Sequence, residues 1–264
     1  MSSTVRIETF TKGKTLERNE DSFGFSDTSF VLADGATDKS GRLYDGKTGG
    51  EIVSRLIVRE ALASTVNGIE LVEQLNQAVK KVYETYGISE DIREAKYRFT
   101  AGCVVVRTVE EKIVITHVGD VGMRLNGNTV YQYKTTTDGR NATLRSAYIQ
   151  QTGDIAGSRD HIMSDLLQQF AYQNSADHEL GFGVIDGTTT PKKFIHTVEL
   201  DRHDIQTIEL FTDGYFAFPT VVSIADWEKT YEQVEREDPD KYLKYKSTKS
   251  KDDRTVMILH FSQL

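Results

Sequence analysis

The sequence predicts an α+β fold built largely on antiparallel sheets. Two long stretches with apolar residues at helical spacing lie side by side at 49–64 and 68–87, with groups of short alternating runs on both sides. The turns between neighbouring runs, such as 110–112 and 126–128, are too short for the crossovers that parallel strands need. The order is strands, two helices, strands, helices, strands, which is not a regular βαβ alternation.

The elements follow in chain order. STVRIETFTKG (3–13) alternates and predicts a first strand, and SFGFSD (22–27) with SFVLAD (29–34) predicts a hairpin-like pair. A polar, Gly-rich loop covers 35–48. The first helix carries Ile52, Val53, Leu56, Ile57, Ala61 and Leu62 on one side, and the second carries Leu71, Leu75, Ala78, Val79 and Val82. Four runs within 98–135 predict an antiparallel meander. Residues 135–160 are polar and weakly patterned and predict a mobile surface segment, followed by a third helix at 160–173. Strands return at 192–200, 206–214 and 254–261, split by a helix near 221–235.

Length and composition bound the function. A chain of 264 residues suffices for one large domain, without an internal repeat or Pro/Ser-rich linker. A net charge of −8 argues against a general nucleic-acid binder, which needs a basic footprint. No apolar run approaches the roughly 20 residues of a membrane span, and the N-terminal residues lack a signal-peptide core. One cysteine, Cys103, excludes an internal disulfide framework and a thiolate metal cage. A cytoplasmic protein is the expectation.

Four acidic clusters stand against short apolar runs: Glu20-Asp21, Asp34 in FVLADGA, Asp213 in LFTDGYF, and Asp252-Asp253 before TVMILHF. An apolar run ending in Asp-Gly reads as a strand that stops at a tight turn. Several carboxylates at one sheet rim would repel one another unless a cation neutralised them. Oxygen donors without a Cys or His cluster suit hard cations such as Mg²⁺ or Mn²⁺. The histidines lack metal-binding spacing, His117 reads as a packing or hydrogen-bonding residue, and Cys103 reads as a small core hydrophobe. Asp138-Gly139 and Asp186-Gly187 read as ordinary turns, and Trp227 and YLKYK as surface packing.

These motifs resemble the metal-dependent type 2C protein serine/threonine phosphatases, particularly their bacterial branch. NEDSFGF (19–25), FVLADGA (30–36), TGGEIVSRL (48–56), THVGDVGMRL (116–125), DIQTIELFTDGYF (204–216) and DDRTVMILHF (252–261) carry the resemblance in order along nearly the whole chain. It implies a single domain over 1–264, a four-layer α-β-β-α sandwich with two antiparallel sheets, with 135–180 as a variable flap. Asp34 would bridge two Mn²⁺ or Mg²⁺ ions. Glu20 and the Gly35 carbonyl would support one, and Asp213 and Asp252 the other, with Asp253 the second choice at that position. Asp21 would hold metal-bound water, and Asp120 would join Asp213 at a looser third position. A metal-activated water would then hydrolyse phosphoserine or phosphothreonine on a protein partner, with the enzyme a monomer and no membrane or nucleic acid involved.

The chain departs from the family pattern in three places. Leu16 stands where the phosphate-gripping Arg is expected, leaving Arg18 as a shifted candidate, with Lys14 as another. Ala36 stands where many members have His, followed by an extra loop with Asp38, Lys39, Arg42, Asp45 and Lys47. Val121-Gly122 replaces the common Ser-Arg after Asp120. A phosphatase-shaped binding or regulatory module with weak catalysis is therefore the alternative. GRLYDGKT (41–48) also matches a nucleotide phosphate loop, with Gly41, Lys47 and Thr48 in its roles. That reading fails on context, because six residues separate Asp34 from Gly41 and the strands look antiparallel.

Overall fold

The structure, a computed structural model, describes residues 5–36 and 41–262. Its elements are β1 (Val5–Lys12), β2 (Asp21–Phe25), β3 (Ser29–Ala36), α1 (Gly49–Ala63), α2 (Gly68–Thr85), β4 (Thr100–Val109), β5 (Lys112–Val118), β6 (Gly122–Leu125) and β7 (Thr129–Tyr131). They continue with α3 (Thr136–Thr152), α4 (Ser158–His161), α5 (Met163–Gln168), β8 (His196–Asp201), β9 (Thr207–Phe211), α6 (Ile224–Glu237) and β10 (Arg254–Phe261).

Ten strands form two sheets of five among the described residues, ordered β1-β10-β9-β6-β7 and β2-β3-β4-β5-β8. Every strand pairing in them is antiparallel. Side-chain alternation explains the layers. In β3, Phe30 and Leu32 point into the core between the sheets, with Val104, Val106, Met257 and Leu259. Val31 and Ala33 point the other way, onto Val53, Ile57, Leu71 and Leu75 of α1 and α2. Val256 and Ile258 of β10 face outward onto Trp227 of α6. Strands buried on both faces read as continuous apolar runs, which is why FVLA and TVMIL lack polar alternation. The expected four layers are present.

Three expectations are corrected. Residues 135–160 contain the helix α3, capped by the Thr135 hydroxyl accepting from the Asp138 N–H and closed by Gly153 at φ 73°. The helix expected at 160–173 is broken into α4, α5 and a 3-10 turn. Trp227 is fully buried, with its indole N–H donating to Glu209 Oε1 at 2.7 Å.

The phosphate-loop reading finds no support in the fold. Tyr44 and Lys47 pair across a tight turn, with Asp45 and Gly46 at φ 50° and 76°. Arg42 pairs with Asp91, and Asp45 accepts from the Tyr86 hydroxyl at 3.1 Å. Both therefore pack toward the end of α2. Asp38 and Lys39 lie outside the described residues.

Candidate metal centre

The acidic motifs meet at one end of the two sheets. Asp34 lies within β3, two residues before its end, and is the register partner of Asp21 at the start of β2. Asp120 sits in the turn between β5 and β6. Asp213 follows the end of β9, and Asp252 precedes the start of β10. Topology alone brings these positions together: β9 and β10 are neighbours in one sheet, β3 and β4 in the other.

Both site glycines serve close approach: Gly214 does so within the turn expected after β9, where Tyr215 N–H donates to the Thr212 carbonyl at 3.3 Å, whereas Gly35 lies inside β3 rather than at a turn, which corrects that part of the sequence reading. Neither Gly35 nor Gly214 has a positive φ. A Cβ on Gly35 would lie 2.3 Å from the Gly50 carbonyl oxygen and 2.7 Å from that of Glu20. A Cβ on Gly214 would lie 2.1 Å from the Asp253 carbonyl oxygen. Each glycine lets a neighbouring backbone press against an Asp-bearing strand end.

The acidic side chains divide into a buried floor and a partly open rim. Glu20, Asp21 and Asp253 are buried. Glu20 accepts from the Thr48 hydroxyl at 2.5 Å and pairs with Lys14. Thr48 also caps α1 in a reciprocal box with Glu51, so the same residue starts the helix and orients the carboxylate. Asp253 accepts from the backbone N–H groups of Lys14 and Glu20 at 2.7 and 3.3 Å, and pairs with Lys14 at 3.5 Å. Asp21 Oδ2 accepts from the hydroxyls of Thr212 and Thr255 at 2.9 and 2.8 Å. Its Oδ1 is buried without a partner.

Asp34, Asp120, Asp213 and Asp252 form the rim, each half-buried. Asp138, from the first turn of α3, joins them, which corrects its reading as an ordinary turn residue. Burial, then Asp21, Asp213 and Asp120, pushes the Asp34 carboxyl well above the carboxylate range. Burial, then Asp213, lifts Asp252 to about 7, and burial, then Asp138, lifts Asp120 to about 6. Burial, with Asp253 and Asp252, leaves Asp21 raised as well, against the hydroxyl hydrogen bonds of Thr255 and Thr212 that pull it down. Asp213 is raised chiefly by burial. These shifts are what uncompensated negative charge in a partly desolvated rim produces.

One cation already stands in the rim. The Lys249 ammonium lies 2.5 Å from Asp252 Oδ2 and faces Asp213 and Asp34. Burial opposes its charge, but those carboxylates hold it protonated. Among the described residues, no three Asp, Glu, His or Cys side chains are gathered tightly enough to form a ready coordination shell. The residues nonetheless fit a hard cation: the donors are oxygens, one buried carboxylate oxygen is orphaned, and a stand-in cation sits among them.

Arg18 donates to Glu51 Oε2 at 3.0 Å, at the start of α1, rather than to a rim carboxylate. His117 is buried, with its ring 4.9 Å from that of Tyr133 and neither nitrogen in a hydrogen bond of ordinary geometry. Cys103 is a buried core thiol, pushed up to about 12 by desolvation. Asp186 is a fully buried structural node, paired with Arg98 at 3.2 Å and accepting from Thr188 N–H at 2.9 Å.

Comparison with known proteins then decides the family. Residues 14–245 match the family model described as Protein phosphatase 2C. The chain belongs to the protein phosphatase 2C family. Its fold is similar to a crystal structure of a bacterial serine phosphatase, with TM-score 0.57 and 15% identity over 98% of this chain and 99% of that one. The serine/threonine phosphatase Stp1 from Staphylococcus aureus gives TM-score 0.56 and 15% identity, covering 99% and 97%. The catalytic domain of serine threonine protein phosphatase PstP, in complex with two manganese ions, gives 0.56 and 14%, covering 98% and 99%. No curated protein matches the sequence. The protein phosphatase 2C family comprises metal-dependent phosphoprotein phosphatases, and this chain has the fold of that class. Among the described residues no helix is long and apolar enough to cross a membrane.

Proposed function

We propose that this chain hydrolyses phosphoserine and phosphothreonine on proteins, as a single-domain enzyme that binds two Mn²⁺ or Mg²⁺ ions at the rim. The convergence of Asp34, Asp120, Asp213 and Asp252 at the ends of both sheets carries this reading, with carboxyls raised by burial and then by mutual repulsion.

Asp34 would be shared between the two ions, Glu20 and the Gly35 carbonyl would hold one, and Asp213 and Asp252 would hold the other. Divalent cations bound there would supply Lewis acidity, lower the pKa of water toward neutrality and offset phosphoryl charge. The free Oδ1 of Asp21 would hold and orient a water beneath the cluster, while Thr212 and Thr255 fix its other oxygen. Asp253 anchors the approach of Lys14 and Glu20 and leaves the inward position to Asp252. The rim carboxylates are half-buried rather than fully enclosed, which supports access by a phosphoryl group presented by a protein chain. A cytoplasmic monomer is the setting that goes with this reading.

The test is hydrolysis of p-nitrophenyl phosphate and of a phosphothreonyl peptide with Mn²⁺, with EDTA, and by an Asp34→Ala variant. Turnover that requires Mn²⁺ and is lost in the variant is the expected result. Metal bound without turnover on either substrate would support the alternative of a binding or regulatory module. Arg18, engaged with Glu51, is the observation in favour of that alternative.

A further inference from the structure

A cleft of about 220 Å³ opens beside the acidic rim. Four rings form its wall: Tyr133 from the β7–α3 connection, Phe182 from the segment between α5 and β8, and Phe194 and His196 at the entry to β8. The cleft and the rim share backbone. Gly119, which lines the cleft, directly precedes Asp120. Thr135, which also lines it, donates its hydroxyl to Asp138. Consecutive Cα atoms are about 3.8 Å apart, so the cleft begins one residue step from the rim.

The walls are preformed. The Tyr133 and His196 rings are stacked, with centroids 3.8 Å apart and planes 5° from parallel. His196 is the register partner of His117 across β5 and β8, and the buried His117 ring backs the pair, 4.9 Å from Tyr133 and 6.1 Å from His196. Phe182 is fixed by its backbone, whose N–H donates to the Tyr172 carbonyl at 3.2 Å and whose carbonyl accepts from the Asn174 N–H at 2.8 Å. Phe194 presses on Gly183, where a Cβ would lie 2.4 Å from the Phe194 Cβ. Yet Tyr133 remains 39% exposed. An aromatic platform held open to water can gain free energy by taking up an apolar group.

Size and chemistry select that group. The volume is below the roughly 300–1,000 Å³ of sites that enclose whole small molecules, and it suits one side chain. Two cations stand at the cleft: Lys134, which is exposed, and Lys193, whose ammonium lies 4.8 Å from the Phe194 ring centroid and is bonded to the Ala176 carbonyl. An acidic side chain would meet the ammonium groups, but it would be stripped of water against four rings and repelled by Asp120 and Asp138 beside it. An aliphatic side chain would use neither the ring geometry nor the cations. An aromatic ring uses every wall: it packs on the rings by edge or offset face and presents its π-face to the ammonium groups.

We propose that this cleft is a specificity subsite, and that it takes an aromatic side chain lying within about three residues of the phosphorylated one, the reach of a short extended segment. It rests on the functional reading above, which puts the phosphoryl group at the rim.

The experiment uses the intact chain with Mn²⁺ and phosphothreonyl peptides in which a single Phe is moved through an alanine background on both sides of the phosphothreonine. With Phe at one position kcat/KM should rise about tenfold, through KM. The rise should vanish in Leu180→Trp, which fills the cleft, and in Tyr133→Ala, which removes the platform. Glu at that position should give no gain. Equal rates for every peptide overturn the proposal. So does a gain from Glu in place of Phe, or a Phe preference retained by either variant once circular dichroism shows it folded. Binding of the same peptides by fluorescence polarisation separates the two readings. Phe-dependent binding without hydrolysis overturns the enzymatic reading and leaves the subsite standing; hydrolysis without Phe dependence does the reverse. A chain that neither binds nor hydrolyses any of the peptides sinks both.

Discussion

Asp21 and Asp34 stand opposite each other in the β2–β3 ladder, two carboxylates paired across adjacent strands at the start of one and near the end of the other. Like charges in such a position destabilise a sheet, and burial makes the repulsion worse. The arrangement is tolerable in a protein that takes up cations there.

Asp34→Asn should therefore separate stability from function. Removing one buried charge should raise the melting temperature of the metal-free protein by about 2–4 °C, for roughly 1 kcal/mol in a chain of this size. Mn²⁺-dependent hydrolysis should fall at least about a hundredfold. A thermal melt in EDTA beside a phosphatase assay reads both, and a variant that melts lower while keeping activity contradicts the assignment.

The rim also predicts how metal-free stability depends on pH. Burial and Asp213 raise Asp252 to about 7, and burial and Asp138 raise Asp120 to about 6. Unfolded Asp titrates near ~3.9. Because the folded values lie above the unfolded one, this contribution is fully present below the unfolded pKa and is lost as pH rises through 6 and then 7. Mn²⁺ binds the ionised forms and removes the penalty. The stabilisation by Mn²⁺ in thermal melts should thus widen from about pH 5 to about pH 8; a flat or narrowing difference would count against it.

Arg145 should behave as a structural fastener that acts on the site from a distance. Arg145→Ala leaves the Asp240, Lys241 and Ser247 carbonyls short of a donor, at a cost of about 2–4 kcal/mol by denaturant unfolding. Arg145→Lys should recover little, because an ammonium cannot reproduce the planar fork. Equal stabilities of wild type and Arg145→Ala would show that the 240–247 segment is not held this way.

Glu209 offers a contrast far from the chemistry. It is fully buried, paired with Arg124 and bonded by the Trp227 indole, joining β6, β9 and α6. Glu209→Ala leaves the Arg124 guanidinium buried without its carboxylate and should cost about 3–5 kcal/mol. Mn²⁺ affinity of the folded variant should be unchanged; a large loss of affinity would mean that the outer helix layer and the rim are coupled.

The architecture was legible where burial is apolar. FVLADGA, TAGCVVV and TVMILHF announce strands because both their faces are covered, and α1 announces itself through the Thr48–Glu51 box and the apolar stripe behind it. Helix α3 was missed because the face it buries is polar: Asn141, Arg145 and Ser146 lie inward beside Ala142 and Ile149, so hydrophobic periodicity carries no signal. The same cause hid Asp138, whose only local mark is the Thr135-x-x-Asp138 cap. Lys249 sits in a run of lysines and serines that reads as solvated loop, and only the distant contacts of Arg145 and Arg159 place it at the rim. Trp227 was misread because half the residues of its helix are charged, and the Glu209 partner that lets it be buried lies on another element.

The most direct test of the metal centre is anomalous diffraction from crystals grown with Mn²⁺. The account predicts manganese peaks between Asp34, Asp213 and Asp252 and near the Gly35 carbonyl. Crystals that bind Mn²⁺ only at surface carboxylates, or not at all, would contradict the claim that this acidic rim exists to hold divalent cations.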